Sequence, residues 1–401
     1  MEVARPVSIW RLAIAGHATL LLGMGVGRFS YTPMVPPLIT TGTLTEAEAG
    51  YVGAANLAGY LVGALAVPAM RRYVAAVPLL QTGIAFCFLG VAASAAPLGF
   101  EWLAAWRFVV GAAAAVMMIH ALSLVVSNAP ADTLGRATGT VFTGVGVGIA
   151  FSGVVVPSLL QMGLLYAWLG LAVVGGAAAA LALWGWSAAD GPGPTPAGEK
   201  NGWRRWRDWT MPPQLKRLPV WCLLIAHAMF SIGLVPHTIY WVDYVARGLD
   251  LGMELGGLYW ILVGVGALLG PMACGWLADK AGFTTALVTI FALLAIGVAI
   301  PVVVAVPLTL VLSSLIFGAQ PGLSAVISGR TGQVVGKENM AEVWRWMVLS
   351  VGVTKAVAGY LMVWLFDVTG SYTILFLSGG AALALGAILS LPWPEKNRPQ
   401  P

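Results

Sequence analysis

The sequence is poor in charged residues. Only 9% of its 401 residues are Asp, Glu, Lys or Arg, whereas 59% are hydrophobic. Soluble domains carry about 25% charged residues, so this composition excludes an ordinary globular protein. Only helices and closed barrels span a bilayer, and the apolar segments here are continuous rather than alternating. The sequence therefore predicts an all-α polytopic membrane protein, in agreement with its mean hydropathy of +0.86.

Cysteine and histidine are also scarce, with three and four residues. Cys87, Cys222 and Cys274 all lie in apolar segments. An odd number of cysteines buried in helices argues against a disulfide framework. The apolar segments contain no His-x-x-x-His motif, no Cys/His cluster and no Ser/His/Asp grouping. We therefore expect no metal, no cofactor and no enzymatic activity.

Twelve apolar windows of about 20 residues are long enough to cross a bilayer. They lie at residues 12–39, 50–70, 74–95, 102–127, 137–160, 164–186, 219–245, 255–278, 283–303, 306–328, 343–366 and 371–392. Spans nine and ten, near Pro301 and Pro307, are the least cleanly separated. No small-x-small cleavage site precedes Arg28, so we expect the first span to be retained rather than removed as a signal peptide.

Basic residues are concentrated in alternate loops. The loop between spans six and seven is the richest, with Lys200, Arg204, Arg205, Arg207, Lys216 and Arg217. The opposite loops carry Arg247 together with acidic residues such as Glu46 and Asp250. By the positive-inside rule, both termini are expected in the cytoplasm. The basic balance thus indicates a membrane topology, and no nucleic-acid partner is expected.

The longest loop divides the spans six and six. We predict an N-terminal six-helix half at residues 1–187, a cytoplasmic linker at 188–218 and a C-terminal half with a short tail at 219–401. The linker begins with alternating Gly and Pro, and its Trp and Arg residues at 203–209 suit the headgroup layer. Glycines of spans two and five recur at a nearly constant offset in spans eight and eleven, which favours two pseudo-symmetric halves.

Four motifs resemble the major facilitator superfamily. Gly275–Gly282 is similar to its G-x-L-[AD]-D-[RK]-x-G loop, and Arg107–Gly111 to the R-x-x-x-G pattern of its fourth helix. Gly25–Pro33 reads Gly-Val-Gly-Arg-Phe-Ser-Tyr-Thr-Pro and resembles the first-helix signature of the YbfB/YjiJ-like branch, as does Leu365–Tyr372 at the junction of helices eleven and twelve. The resemblance implies a transporter whose halves rock about a substrate site, with a modest preference for export. It also implies a monomer in a cell membrane, here a bacterial inner membrane.

The sequence departs from the superfamily at two places. The first copy of the loop motif, Gly63–Arg72, lacks its aspartate. In helix five, Gly153 is followed by Pro157 rather than by an adjacent proline, so the antiporter motif is incomplete. Antiport therefore does not follow from the resemblance.

Polar residues lie on the helices that the resemblance assigns to a central cavity. On helices one, four, seven and ten, the candidate substrate or coupling residues are Arg28 and Tyr31, Arg107, His237 with Tyr240 and Asp243, and Gln320. Lys355 in span eleven, close to the middle of the membrane, is a further candidate. At 100° per residue, His17 and Arg28 share a face of span one. Asp243 is the expected negative partner of these cations, and Tyr240 or Trp241 are the expected neighbours of His237.

Two interpretations of the intramembrane arginines stay open. Arg28 and Arg107 either bind substrate or couple proton movement, or they pin helices by capping carbonyls, snorkelling or pairing with acids. Asp279 and Lys280, in the second loop motif, are expected to act in gating, because the resemblance implies that this aspartate caps a neighbouring helix.

The leading hypothesis is a proton-coupled secondary transporter of a small anionic or neutral polar molecule. Basic residues within the spans, with no acidic residue at mid-membrane, favour an anion over a cation. The alternative is a non-transporting receptor or sensor, or a membrane enzyme, on the same scaffold. An enzyme needs converging catalytic groups, and a receptor usually needs a soluble module larger than a loop of about 30 residues.

Overall fold

The computed structural model describes residues 8–96, 98–130, 132–189 and 211–392. Within these ranges the chain is helical and forms no strand. Eleven helices are long and apolar enough to cross a membrane, and a bent helix pair makes a twelfth. In chain order they are α1 Ile9–Thr40, α2 Glu46–Met70, α3 Ala76–Ala93, α4 Gly99–Asn128, α5 Leu134–Leu160, α6 Leu164–Trp186, α7 Leu218–Gly248, α8 Gly252–Ala281, α9 Phe283–Val303, α10 Pro307–Gly318 with Pro321–Val335, α11 Lys337–Thr369 and α12 Tyr372–Leu389. The predicted all-α fold is confirmed.

Part of the predicted linker, together with both ends of the chain, lies outside the described residues. Residues 190–210 contain the predicted Gly/Pro and Trp/Arg segments, and residues 1–7 and 393–401 contain the termini. The described chain resumes before a short 3₁₀-helix at Pro213–Lys216, which leads into α7.

The chain divides into two compact units. The first contains residues 1–204 and 239–268, which are α1–α6 with the later part of α7 and the earlier part of α8. The second contains residues 205–238 and 269–401, which include the remaining parts of α7 and α8 and all of α9–α12. The predicted boundaries at 187 and 218 follow chain order and stay a prediction.

The middle of α1 is a π-helix over Leu21–Phe29. At its end, the Ser30 amide donates to the carbonyl of Gly25, five residues earlier, at 3.1 Å. Pro33, Pro36 and Pro37 follow and have no backbone N–H to donate. The regular hydrogen-bond ladder of α1 is interrupted by the wider π-helical turn and by the prolines, which have no backbone N–H. Side chains of other helices can therefore donate to backbone carbonyls of α1.

Helices α2 and α4 cross with their backbones in contact. A Cβ atom on Gly59 would lie 2.0 Å from the Phe108 carbonyl oxygen, and one on Gly111 would lie 2.0 Å from that of Asn56. The Asn56 side-chain amide also donates to the Arg107 carbonyl at 3.0 Å. In lipid, helix association depends on such close packing of small residues. This crossing fixes the position of Arg107 relative to α2.

We expect Gly59→Ala to lower the free energy of unfolding by about 1–3 kcal/mol, because the added methyl group forces two backbones apart. The matched control is Gly139→Ala on α5, where a Cβ atom would meet nothing within 4 Å. That variant should be as stable as wild type or more stable by up to about 1 kcal/mol, because alanine is favoured over glycine inside a helix. Unfolding in detergent micelles measures both, and equal stability of the two variants would contradict the close crossing.

Helix α10 is bent by 46° between its two parts. The second part begins with Pro321, which cannot donate a backbone hydrogen bond and is favoured at the first helical position. The sequence predicted one continuous span at 306–328 and missed the bend. Spans nine and ten were the least cleanly separated in the sequence. In the structure, α9 ends at Val303 and α10 begins at Pro307.

Candidate functional site

Arg28 is a buried cation in the first unit. Only 8% of the residue is exposed, and its guanidinium carbon lies 5.3 Å from the Phe29 ring centroid and 5.6 Å from that of Tyr60. Among the described residues it has no ion pair or hydrogen-bond partner, and its Nε atom is buried. Cation–π contacts contribute about 0.5–2 kcal/mol, less than the several kcal/mol that desolvating a charge costs. Among the described residues, the contacts of the Arg28 guanidinium are therefore with aromatic rings and not with hydrogen-bond acceptors.

Tyr60, on α2, lies beside Arg28 of α1. It was not among the predicted site residues. It is half-buried, and its phenol makes no hydrogen bond to a residue in the described part of the chain. The sequence contains no signal that distinguishes this tyrosine from a packing residue in an apolar helix. Only the packing of α2 near α1 places a second hydrogen-bonding group next to the Arg28 guanidinium.

Arg107 has the opposite environment. It is fully buried, and its Nη1 donates to the Gly27 carbonyl on α1 at 2.9 Å while its Nη2 donates to Ser94 Oγ after α3 at 3.1 Å. The guanidinium also lies 5.4 Å from the Trp168 ring centroid on α6. These contacts join four helices through one side chain. They favour the helix-pinning interpretation of Arg107.

Tyr31 connects α1 to the start of α2. Its hydroxyl donates to the Ala49 carbonyl at 2.8 Å, and its ring centroid lies 5.9 Å from the Arg107 guanidinium. Because the phenol already has a protein partner, Tyr31 shapes the surroundings of Arg107 more directly than it could contact a ligand.

His17 and Arg28 face different helices. His17 Nδ1 is 2.8 Å from Thr143 Oγ1 on α5, whereas Arg28 lies against Tyr60 on α2. The prediction that they share a face is wrong, because it assumed 100° per residue through a stretch that is π-helical.

Asp243 belongs to an ion-pair triad in the first unit. Its carboxylate is fully buried and accepts from Arg247 Nη1 at 3.1 Å, and Arg247 Nη2 pairs with Glu46 at the start of α2. The sequence predicted Asp243 as the partner of the intramembrane cations, and placed Arg247 and Glu46 in loops without pairing them. Tyr240, one turn earlier, is also fully buried.

His237 is fully buried in the second unit. Its Nε2 atom is 2.8 Å from Ser313 Oγ on α10, and its ring stacks on Phe317 with centroids 4.6 Å apart. Phe376 of α12 makes an edge contact at 5.0 Å. The sequence prediction considered only neighbours on α7 and did not include these partners on α10 and α12.

The other candidates of the second unit are more accessible. Gln320 is half-buried at the bend of α10, and Lys355 is half-buried on α11. Asp279 and Lys280 are exposed at the end of α8, and Lys280 Nζ lies 4.8 Å from the Trp276 ring centroid. Asp279 has no hydrogen bond or ion pair with a described residue. The expected gating role stays a prediction.

The candidate residues are thus divided between the units. Arg28, Tyr31, Arg107, Tyr240 and Asp243 belong to the first, and His237, Asp279, Lys280, Gln320 and Lys355 to the second. Within the described ranges, no group of three or more His, Cys, Asp or Glu residues is placed to hold a metal ion.

The described part of the chain is a helical fold with eleven candidate membrane spans, or twelve with the bent pair. A crystal structure of a mutant of the peptide transporter POT shares this fold, with a TM-score of 0.73 over 96% of this chain and 97% of that chain at 15% sequence identity. The chain belongs to the family described as "Uncharacterised MFS-type transporter YbfB", whose model matches residues 20–391. The resemblance found in the sequence is confirmed, and the chain is a multi-span membrane protein of a transporter family.

Curated relatives include monocarboxylate transporter 9 of Mus musculus and of Rattus norvegicus. Each is 28% identical over 178 residues, a match that covers 42% of this chain. The match spans about a third of the length of these relatives, 34% of each. Family and fold are thus those of transporters.

Proposed function

We propose that this transporter carries a small organic anion, with a carboxylate bound by Arg28 and Tyr60. The observation that carries the proposal is the buried Arg28 guanidinium, which has no counter-ion among the described residues. A charge held in a membrane protein at this cost marks a functional site unless it is paired. An anionic ligand supplies the missing charge.

The chemistry of the two side chains supports a carboxylate. A guanidinium presents its donors in a planar fork that matches the two oxygens of a carboxylate. The Tyr60 hydroxyl adds a donor, and the rings of Phe29 and Tyr60 keep the site apolar around the charge. The name of the curated relatives, monocarboxylate transporter 9, points to the same class of substrate.

We further propose that transport proceeds by alternating access, is driven by protons and runs outward. The protein acts as a monomer in a bacterial inner membrane with both termini in the cytoplasm, as the distribution of basic loops favours. The fully buried Asp243 supports proton coupling, because its pairing with Arg247 changes when the carboxylate takes up a proton. Asp279 and Lys280 remain the proposed gating residues.

Counterflow in proteoliposomes tests the proposal, with radiolabelled benzoate and lactate as probes. We expect wild-type protein to exchange at least one of them and Tyr60→Phe to raise its half-saturation concentration about tenfold, since a hydrogen bond to a charged group contributes about 1.5–3 kcal/mol. The control is Tyr73→Phe, because Tyr73 is 82% exposed. Exchange that is absent in wild type, or equal in both variants, would contradict the assignment.

A further inference from the structure

Two arginines and two tryptophans form a cluster at one end of the first unit, where α1 and α5 begin and α6 ends. Arg136 of α5 has its guanidinium carbon 5.3 Å from the ring centroid of Trp10 on α1. Arg11 of α1 has its guanidinium carbon 4.5 Å from the ring centroid of Trp184 on α6. The Arg/Trp cluster, as we call these four residues, thus joins the ends of three spans, and the proposed carboxylate site does not use it.

Close packing of the three helices holds the cluster in place. A Cβ atom on Gly144 of α5 would lie 2.1 Å from the His17 carbonyl oxygen of α1, and one on Gly185 of α6 would lie 2.4 Å from the Ala15 Cβ atom of α1. The backbone of α1 therefore lies directly against both neighbours, as small residues in lipid allow. Because these backbones are already fixed, a ligand that binds the cluster has less of the protein to order.

Both arginines of the cluster have hydrogen-bond donors that no described residue uses. Arg11 donates through Nη2 to the Trp184 carbonyl at 2.8 Å and to Ser187 Oγ at 3.3 Å, whereas its Nε atom is buried without a partner. The guanidinium of Arg136 is exposed and makes no hydrogen bond or ion pair with a described residue. The carboxylate of Asp132, one turn before Arg136, makes no ion pair in the described part of the chain either. Two positive charges therefore lie at this end of the spans without a described counter-ion.

The surroundings of these charges favour the phosphate of a lipid. Trp10 and Trp184 are 39% and 55% exposed, and tryptophans at the ends of spans lie at the headgroup level of a bilayer. A guanidinium binds phosphate through two parallel N–H bonds, and basic pockets between membrane helices bind anionic headgroups. A free phosphate would meet the same donors. Only a lipid also places acyl chains against the exposed indole rings.

We propose that the Arg/Trp cluster binds the headgroup phosphate of an anionic phospholipid. The phosphate pairs with the guanidinium groups of Arg11 and Arg136, and the acyl chains lie along the indole rings and the apolar surface of the spans. A headgroup that carries its own cation, such as choline, would be repelled by the second arginine, so a headgroup without an amine is preferred. The site is separate from Arg28 and Tyr60, and it does not depend on which substrate is transported.

Native mass spectrometry of the purified full-length protein tests the site by counting bound lipids in a titration. The probes are phosphatidylglycerol, phosphatidylcholine and the water-soluble glycerol 1-phosphate. We expect wild type to retain one phosphatidylglycerol and to bind phosphatidylcholine at least tenfold more weakly. Arg136→Gln should weaken phosphatidylglycerol binding about fivefold, which is the roughly 1 kcal/mol that a basic residue contributes near a membrane surface. Arg11→Gln should weaken it by at least as much.

The matched control is Arg72→Gln, because Arg72 is an exposed arginine after α2 that has no ring contact or ion pair with a described residue. It removes the same charge and should bind phosphatidylglycerol like wild type. Arg136→Gln is the decisive variant, since no described residue accepts a hydrogen bond from that guanidinium, and its melting temperature without lipid should stay that of wild type.

Weaker binding in Arg136→Gln at an unchanged melting temperature would support the lipid site. Equal affinities of Arg136→Gln and Arg72→Gln would mean that lipids respond to overall charge, and the site would be wrong. Equal binding of the two lipids by wild type would contradict an anionic headgroup. If glycerol 1-phosphate binds as tightly as phosphatidylglycerol, the cluster holds a soluble phosphate and the lipid assignment is wrong. A lower melting temperature of Arg136→Gln without lipid would give this arginine a structural role instead.

Discussion

Arg28→Met is expected to abolish anion transport and to leave the folded protein at least as stable as wild type. The guanidinium is buried at 8% exposure without a counter-ion in the described part of the chain, so the charge costs more than its contacts with two rings return. Replacing a buried charge by an apolar side chain of similar volume is often neutral or stabilising. Methionine fills the same space and cannot bind a carboxylate.

Two measurements on the same preparation check this expectation. Counterflow of benzoate or lactate should fall at least a hundredfold, and the melting temperature in detergent should be unchanged or higher. Arg28→Lys serves as the control, because it keeps the charge and loses the planar fork, and we expect it to retain a weak, low-affinity activity. If Arg28→Met still transports, or if it unfolds several degrees earlier than wild type, Arg28 has a structural role and not the proposed one.

Arg107→Met is expected to lower the free energy of unfolding by about 2–4 kcal/mol. Arg107 donates to the Gly27 carbonyl and to Ser94 Oγ, and a hydrogen bond from a charged group contributes about 1.5–3 kcal/mol, partly offset here by the relief of desolvation. Gly27 lies in the π-helical stretch of α1, where the regular ladder is interrupted. Loss of Arg107 therefore removes a side-chain donor from this carbonyl in the membrane interior.

Equilibrium unfolding in mixed micelles measures this loss. Ser94→Ala is the smaller companion change, because it removes only one of the two acceptors, and it should cost about 1 kcal/mol. Any loss of transport in Arg107→Met should follow the fraction of folded protein. An Arg107→Met protein as stable as wild type that no longer binds anions would reverse the roles that we give to the two arginines.

Much of the fold could be predicted because it depends on local composition. Each span is a continuous apolar run, and in hydrocarbon such a run forms a helix, because the strands of a closed barrel alternate apolar and polar residues. The predicted starts and ends differ from the observed ones by a few residues, as for span eleven, predicted at 343–366 and observed at Lys337–Thr369. The bend of α10 and the π-helix of α1 were missed. Both interrupt the regular backbone hydrogen bonds of a helix, and both depend on how neighbouring helices pack against the interruption.

The candidate site was predicted less completely. Arg28 stood out because a charge in an apolar run is costly wherever its helix packs. Tyr60 did not stand out, because a tyrosine in an apolar helix is most often a packing residue. Among the described residues, its side chain has no hydrogen-bond partner. Whether a buried side chain finds a partner is decided by the packing of helices far apart in the chain.

The sequence by itself determined the class of protein, the number of spans and the family, together with the position of Arg28 in the first span. These follow from hydropathy and from short motifs, which need no knowledge of packing. Only the tertiary structure decided which arginine is paired. Arg107 reaches Gly27, 80 residues away, and Arg247 reaches Glu46, 201 residues away, whereas Arg28 meets aromatic rings. Burying a charge is costly in any helix, but whether the charge receives a partner depends on contacts between helices, and no local pattern of residues encodes those contacts.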